Sequence, residues 1–207
     1  MENKPVKPLI KSSSVKPRKR AAVARTQLDP ERWVDEAIDV LAREGISGLR
    51  VEVLAKRCGV TKGSFYWHFK DRQALLDAVL EQWKVGRIRD IEKTTSVAAG
   101  QESQQLHYAI EVYGASRNRK GMSIELAVRD WARHDPQAAA VVESVDLYRL
   151  ECTRKLFVAA GMSDAEAKSR SLLLYACVFG LSLMHYTHFD DNLADLKQRI
   201  AERIISS

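Results

Sequence analysis

The sequence predicts an all-α protein. Three observations carry that reading: apolar residues recur at helical spacing along nearly the whole chain beyond residue 29, no stretch shows the apolar–polar alternation of a half-buried strand, and helix start and stop residues punctuate the pattern. A chain of 207 residues, 45% of them apolar, can bury a core without a disulfide or metal staple. Cys58, Cys152 and Cys177 are far apart and odd in number, so neither a disulfide framework nor a CxxC metal site is expected. The longest apolar run, Leu172 to Met184, is interrupted by Tyr175, Gly180 and Ser182. It falls short of the roughly 18 residues of a membrane span and reads as a buried helix. The expected compartment is the cytoplasm, with no membrane partner.

Charge is unevenly spread. Residues 1–26 hold eight Lys/Arg against one acid, whereas the whole chain carries +6, so the rest is close to neutral. This segment also contains three of the five prolines and lacks aromatics, a composition that predicts a disordered basic arm. It is either an idle solvated tail or an electrostatic arm drawn to phosphates.

The elements follow in order. Asp29-Pro30 starts the first helix, Asp29 as N-cap and Pro30 where its missing N–H costs nothing. Trp33, Val34, Ala37, Ile38, Val40 and Leu41 form its apolar face, and Gly45 closes it. A short helix over Val51 to Cys58 and a third from Lys62 to about Phe69 come next, and Asp71 caps a fourth bearing Leu75, Leu76, Val79, Leu80 and Trp83. After a small, polar loop at 94–103, helices are expected from Leu106 to about Tyr113, from about Ser123 to His134, and from Gln137 to about Ala160. Ser163 or Asp164 caps the next, running to about Phe189, and Asp191 or Asn192 starts the last, with Leu193, Leu196, Ile200 and Ile204 on one stripe.

Residues 51 to 69 satisfy the stereochemistry of a helix-turn-helix. Ala55 is small where two helices cross, Gly59 can take the positive φ of the sharp turn, Val60 tucks inward and Thr61 is a suitable N-cap. Phe65 and Phe69, four apart, share the inward face. Gly63, Ser64, Trp67 and His68 lie roughly opposite, flanked by Lys62 and Tyr66. Each outward group suits DNA. Lys62 can donate to guanine O6/N7, Ser64 to a base edge or a phosphate, and Gly63 allows close approach. Tyr66 and His68 can donate to phosphate oxygens, and Trp67 offers an apolar surface to thymine methyls. Six Lys/Arg against two acids between Gly45 and Arg72 make this region locally basic.

Residues 29 to 84, above all LRVEVLAKRCGVTKGSFYWHFKDRQALL, resemble the DNA-binding domain of the TetR family of bacterial transcription regulators. The Ala-x3-Gly-Val core, the Phe-Tyr-x-His-Phe string and the Leu-Leu of the fourth helix all occur at family spacing. The resemblance implies that Thr61, Lys62, Gly63, Ser64, Tyr66, Trp67 and His68 sit at DNA-contacting positions and that Lys70 and Arg72 meet the phosphate backbone. Arg50 stands where Thr or Ser usually caps the second helix, adding a phosphate-reaching cation, and Arg72 replaces a usual Lys.

The organisation expected is therefore a basic arm at 1–26, a helix-turn-helix domain at 27–84 and a helical ligand-binding and dimerisation domain at 85–207. Tyr108, Tyr113, Met122, Trp131, Phe157, Tyr175 and Phe179 are the candidate lining of an effector pocket. Ala176, Gly180, Leu183, Leu196 and Ile200 are the candidate dimer surface, with Gly180 and Ala176 permitting close helix approach. The alternative is that these stripes pack within one chain. The run Arg129, Asp130, Trp131, Arg133, His134 reads either as an anion site or as a self-paired helix end, and His185 with His188 lacks further ligands, so no metal or cofactor is assigned. With no GxSxG, HExxH or phosphate loop in the sequence, the chain is expected not to be an enzyme. The function expected is a cytoplasmic, nucleoid-associated regulator, most simply a repressor, that binds an operator in double-stranded DNA as a homodimer and is released by a small-molecule effector.

Overall fold

The computed structural model describes residues 29–96, 100–114 and 119–206 of the chain. The basic arm lies outside the described residues, as does the side chain of Tyr113. The described elements are helical: α1 (Pro30–Glu44), a single 3-10 turn (Ile46–Gly48), α2 (Val51–Arg57), α3 (Lys62–Phe65), α4 (Arg72–Thr95), α5 (Glu102–Gly114), α6 (Arg119–Ala132), α7 (Pro136–Ala159), α8 (Asp164–Leu183) and α9 (Leu193–Ile205).

Local chemistry sets most boundaries where the sequence put them. Asp29 accepts the Arg32 N–H at 2.8 Å, Asp71 accepts that of Ala74 at 2.9 Å, and Asp135 accepts those of Gln137 and Ala138 at 2.9 and 3.0 Å. Ser163 rather than Asp164 caps α8, and Asn192 rather than Asp191 caps α9. Gly45 ends α1 at φ 68° with its N–H on the Leu41 carbonyl. Helix α8 stops at Leu183, six residues short of Phe189: Met184 turns extended, and a separate turn follows with the Phe189 N–H on the Tyr186 carbonyl.

One apolar core joins α1, α2, α3 and α4 to α6 and α7. Trp33, Leu41, Leu49, Leu54, Phe65, Leu75 and Leu80 share it with Val128, Trp131, Ala138 and Val145, so packing continues past residue 84. Each of the leucines, valines and Phe65 among them contributes about 1.5–3 kcal/mol by leaving water. Polar bonds reinforce the seams. Lys120 pairs with Asp39 at 2.8 Å, Gln82 donates to Asp35 at 2.7 Å, and Gln137 donates to Asp77 at 3.1 Å. A second core gathers Leu106, Leu156, Phe157, Leu174, Tyr175, Val178, Ile204 and Ile205 from α5, α7, α8 and α9.

Between the cores, α6, α7 and α8 meet at a buried ion cluster. One oxygen of Glu125 accepts from Arg129 Nε and Nη2 (3.1 and 2.7 Å) and from Arg149 Nη1 (3.2 Å). Asp146 takes both terminal nitrogens of Arg129, at 2.8 and 2.6 Å, and the Arg129 guanidinium lies 4.1 Å from the centre of the Phe179 ring. Burial disfavours the charge on Arg129, yet its bonds to Asp146 and the charge of Glu125 outweigh that and hold its pKa above the usual value. Arg129 is thus ion-paired to Glu125 and Asp146, outside the run 129–134 and largely out of water, which differs from a solvated helix end paired within itself.

Candidate nucleic-acid interface

The helix-turn-helix is built on a backbone turn that only a few residue types allow. Gly59 takes φ 69°, and the Val60 N–H bonds the Ala55 carbonyl at 2.9 Å, folding the chain from α2 back into α3. Phe65 is fully buried, edge-on to Trp33 at 5.4 Å and stacked on Phe69 at 5.3 Å. These contacts fix which side of α3 faces out. Helix α3 itself ends at Phe65, four residues before the expected Phe69, and turn bonds from His68 and Phe69 to the Phe65 carbonyl carry the chain on.

On the outward side, Trp67 is 80% exposed and Tyr66 54%. Thr61, Lys62, Gly63 and Lys70 are also exposed, and Ser64 is half-buried. A Cβ at Gly63 would come no nearer than 3.8 Å to any described side chain outside the adjacent residues, so no described neighbour requires glycine there. His68 departs from the expected arrangement. Its residue is half-buried, and Nε2 is shut off from solvent with no hydrogen-bond partner among the described residues. Thr61 and Arg50 occupy N-cap positions, but neither side chain makes a capping bond.

The cations are distributed differently from their sequence count. Arg57 is tied to Glu36 and, at 3.4 Å, to Glu44, both on acidic α1. Lys62 pairs with Glu52 of α2, and this hydrogen bond holds the Glu52 carboxyl below, and the Lys62 ammonium above, their ordinary pKa values. Arg72 directs Nε to the Leu49 carbonyl at 2.6 Å and Nη2 to that of Ile46 at 3.2 Å, clamping the turn between α1 and α2. Arg50, Lys56 and Lys70 make no ion pair among the described residues and point to solvent. None of these three pairings follows from helical spacing. The partners are 10 to 26 residues apart and meet only once the turn forms; the acidic composition of residues 29–44 points to the Arg57 partners alone, and not to Glu52 or the Leu49 and Ile46 carbonyls.

The family profile of "Bacterial regulatory proteins, tetR family" matches residues 34–79. This N-terminal domain belongs to the TetR family. Within it the chain is 43% identical over 56 residues to the tetracycline repressor protein class A from transposon 1721 of Escherichia coli, a match covering 27% of this chain and 26% of that protein. The chain thus matches about a quarter of that curated relative's length. The TetR-like fold extends further. A transcriptional regulator from Rhodococcus sp. Rha1 superposes with a TM-score of 0.65 at 21% identity, covering 86% of this chain and 92% of that one. A putative transcriptional regulator from Saccharomonospora viridis, solved in complex with choline, gives 0.69 at 16% identity over 85% and 94%.

Beyond the TetR-family domain, four of the described residues grouped from sequence as a pocket gather at the second core and two do not. Phe157 and Tyr175 are buried in the second core, where the Tyr175 hydroxyl meets Thr153 Oγ1 at 3.1 Å, and Met122 and Phe179 border it. Trp131 belongs to the first core, with Nε1 on Asp135 at 3.1 Å, and Tyr108 is 43% exposed. Helical periodicity identified inward faces but not which of two cores each face enters. An open groove of about 360 Å³ runs between α6 and α7, lined by Arg129, Arg133, Val142, Asp146 and Leu147 among others. On α8, Leu172, Leu173, Ala176 and Leu183 are exposed, and a Cβ at Gly180 would meet no atom within 4 Å. On α9 the outcome differs: Ile204 and Ile205 are buried, Ile200 packs on the second core, and Leu196 is half-buried. The α9 stripe faces largely inward because α9 closes the second core against α5 and α8. His185 and His188 are exposed, and no cluster of three metal-ligating side chains occurs among the described residues. Nor is any described helix long and apolar enough to cross a membrane.

Proposed function

We propose that this chain is a ligand-responsive transcription regulator that binds a pseudo-palindromic operator as a homodimer and leaves it when a small molecule occupies the C-terminal half. The observation that carries the reading is the exposed Tyr66–Trp67 pair next to Lys62, held outward by a fully buried Phe65. A merely structural helical corner accounts for Phe65 and Phe69 but has no use for a largely exposed tryptophan. The base-facing set is Thr61, Lys62, Gly63, Ser64 and Trp67, with Tyr66 and the cations Arg50, Lys56 and Lys70 reaching phosphates. Two copies pair through the apolar face of α8, where no described residue covers Leu172, Leu173, Ala176 and Leu183 and Gly180 leaves room for a second helix. The site of action is the cytoplasm.

The release mechanism is differential affinity. Helix α4 runs 24 residues, about 36 Å, from the DNA-facing domain alongside α7, which it contacts through the Tyr148 hydroxyl on Glu92 at 3.0 Å. A ligand that shifts α7 against α4 moves α3 with it. Two α3 helices must sit about 34 Å apart to enter successive major grooves, and about 5.5 kcal/mol of preference for another spacing moves the population from bound to released. A neighbour solved with choline supports small-molecule binding in this fold.

Fluorescence anisotropy against a library-selected duplex and a random duplex, across a salt series, tests the reading. The selected duplex should bind at least ~1,000-fold more tightly. Equal affinity for both at every salt concentration would sink it.

A further inference from the structure

The ion pair between Glu52 and Lys62 joins the first turn of α2 to the first residue of α3 on the outer face of the helix-turn-helix. Both side chains are more than half exposed, 63% and 52%, so the pair adds little to stability. The turn is already closed by the Val60–Ala55 backbone bond and the buried Phe65. An acid on a DNA-facing surface also opposes approach to phosphate. A carboxylate at this place therefore calls for a role in recognition.

A lysine neutralised by a touching carboxylate adds almost nothing to the field a phosphate feels, and exchanging Glu52 for one phosphate oxygen leaves that carboxylate unpaired beside the backbone. A G·C base pair offers something else. Its major-groove edge presents guanine O6 and N7 as acceptors and cytosine N4–H as a donor, so an ammonium and a carboxylate can both be satisfied on one base pair. We propose that Glu52 is a specificity-determining residue: it withholds Lys62 from backbone phosphates and, with it, reads a G·C pair in each half-site. This rests on the DNA-binding reading above.

The test is a salt titration of full-length wild type, Glu52→Gln, Lys62→Gln and the double variant against a random-sequence duplex of about 30 base pairs, long enough to hold two half-sites about 10 base pairs apart. Glu52→Gln frees one cation per protomer, so the slope of log K against log salt should steepen by about 0.9 per protomer. The double variant, which lacks both members, should return to the wild-type slope. Selection from a random library should recover a fixed G·C pair in each half-site for wild type and lose it for Glu52→Gln and Lys62→Gln alike. An unchanged slope in Glu52→Gln overturns the proposal. So does a double variant as steep as Glu52→Gln, because that result assigns the effect to plain repulsion by Glu52. A wild-type chain that binds no duplex at low salt overturns the DNA-binding reading instead, a result distinct from either. Far-ultraviolet circular dichroism equal to wild type shows that each variant is folded.

Discussion

Replacing Arg72 separates two roles that its sequence position leaves merged. The guanidinium lies near the start of α4, where a phosphate contact is the expected use, yet it donates to the carbonyls of Leu49 and Ile46 at 2.6 and 3.2 Å. Those carbonyls belong to the turn between α1 and α2, where the Ile46 carbonyl also accepts the Leu49 N–H at 3.2 Å. A hydrogen bond from a charged donor contributes about 1.5–3 kcal/mol when shielded, and less where water competes. The shorter bond is partly buried and the longer exposed, so Arg72→Ala should cost about 2 kcal/mol in total. For a chain of this size that lowers Tm by about 4 to 8 °C. Arg72→Lys keeps the charge but has no planar fork to span both carbonyls, and should lose about half as much. Differential scanning fluorimetry of the three proteins without DNA decides the matter. A purely phosphate-contacting arginine predicts no change in Tm for either variant, and Tm values within about 1 °C of wild type for both would refute the clamp.

Three further outcomes follow from the same structure. Gly48→Ala should destabilise by about 1–3 kcal/mol in chemical denaturation, because its Cβ would lie 2.7 Å from Glu44 Cβ and 2.9 Å from Val40 Cγ1. Trp67→Ala should leave Tm unchanged, the side chain being 80% exposed, and weaken binding to the selected duplex by about tenfold in anisotropy. Glu151 is hydrogen-bonded by Arg154, which lowers its pKa from 4.5 to about 2. A carboxylate whose pKa falls on folding stabilises above its unfolded value, and that contribution is lost as pH drops from 4.5 through about 2. Tm measured across that window should therefore fall less steeply in Glu151→Gln than in wild type.

The helix-turn-helix was legible because its constraints are local. Gly59 at positive φ, the Asp71 cap and the i, i+4 pair Phe65–Phe69 are all set by residues within a few positions of one another. His68 was misplaced because, three residues after Phe65, it borders the inward face even on a helical wheel, in keeping with an Nε2 shut off from solvent. The cation partners were missed for the opposite reason: Arg57–Glu36, Lys62–Glu52 and Arg72–Leu49 depend on contacts formed only after the turn closes. In the C-terminal half, periodicity marked Trp131 and Tyr175 alike as inward, but only the three-dimensional packing sends one to the first core and the other to the second. The α8 and α9 stripes looked equivalent in sequence. Burial distinguishes them, with Ile204 closing a core and Leu172 left in water.

The central claim, that α3 of each protomer reads one half of a two-fold site, is tested most directly by sequencing duplexes retained by the full-length protein from a random library and footprinting the winner. The account predicts an inverted repeat with half-site centres about 10 base pairs, one helical turn, apart, protected on the same face of the duplex. Retained sequences without a common motif, or a single unrepeated site protected by one protomer, would contradict it.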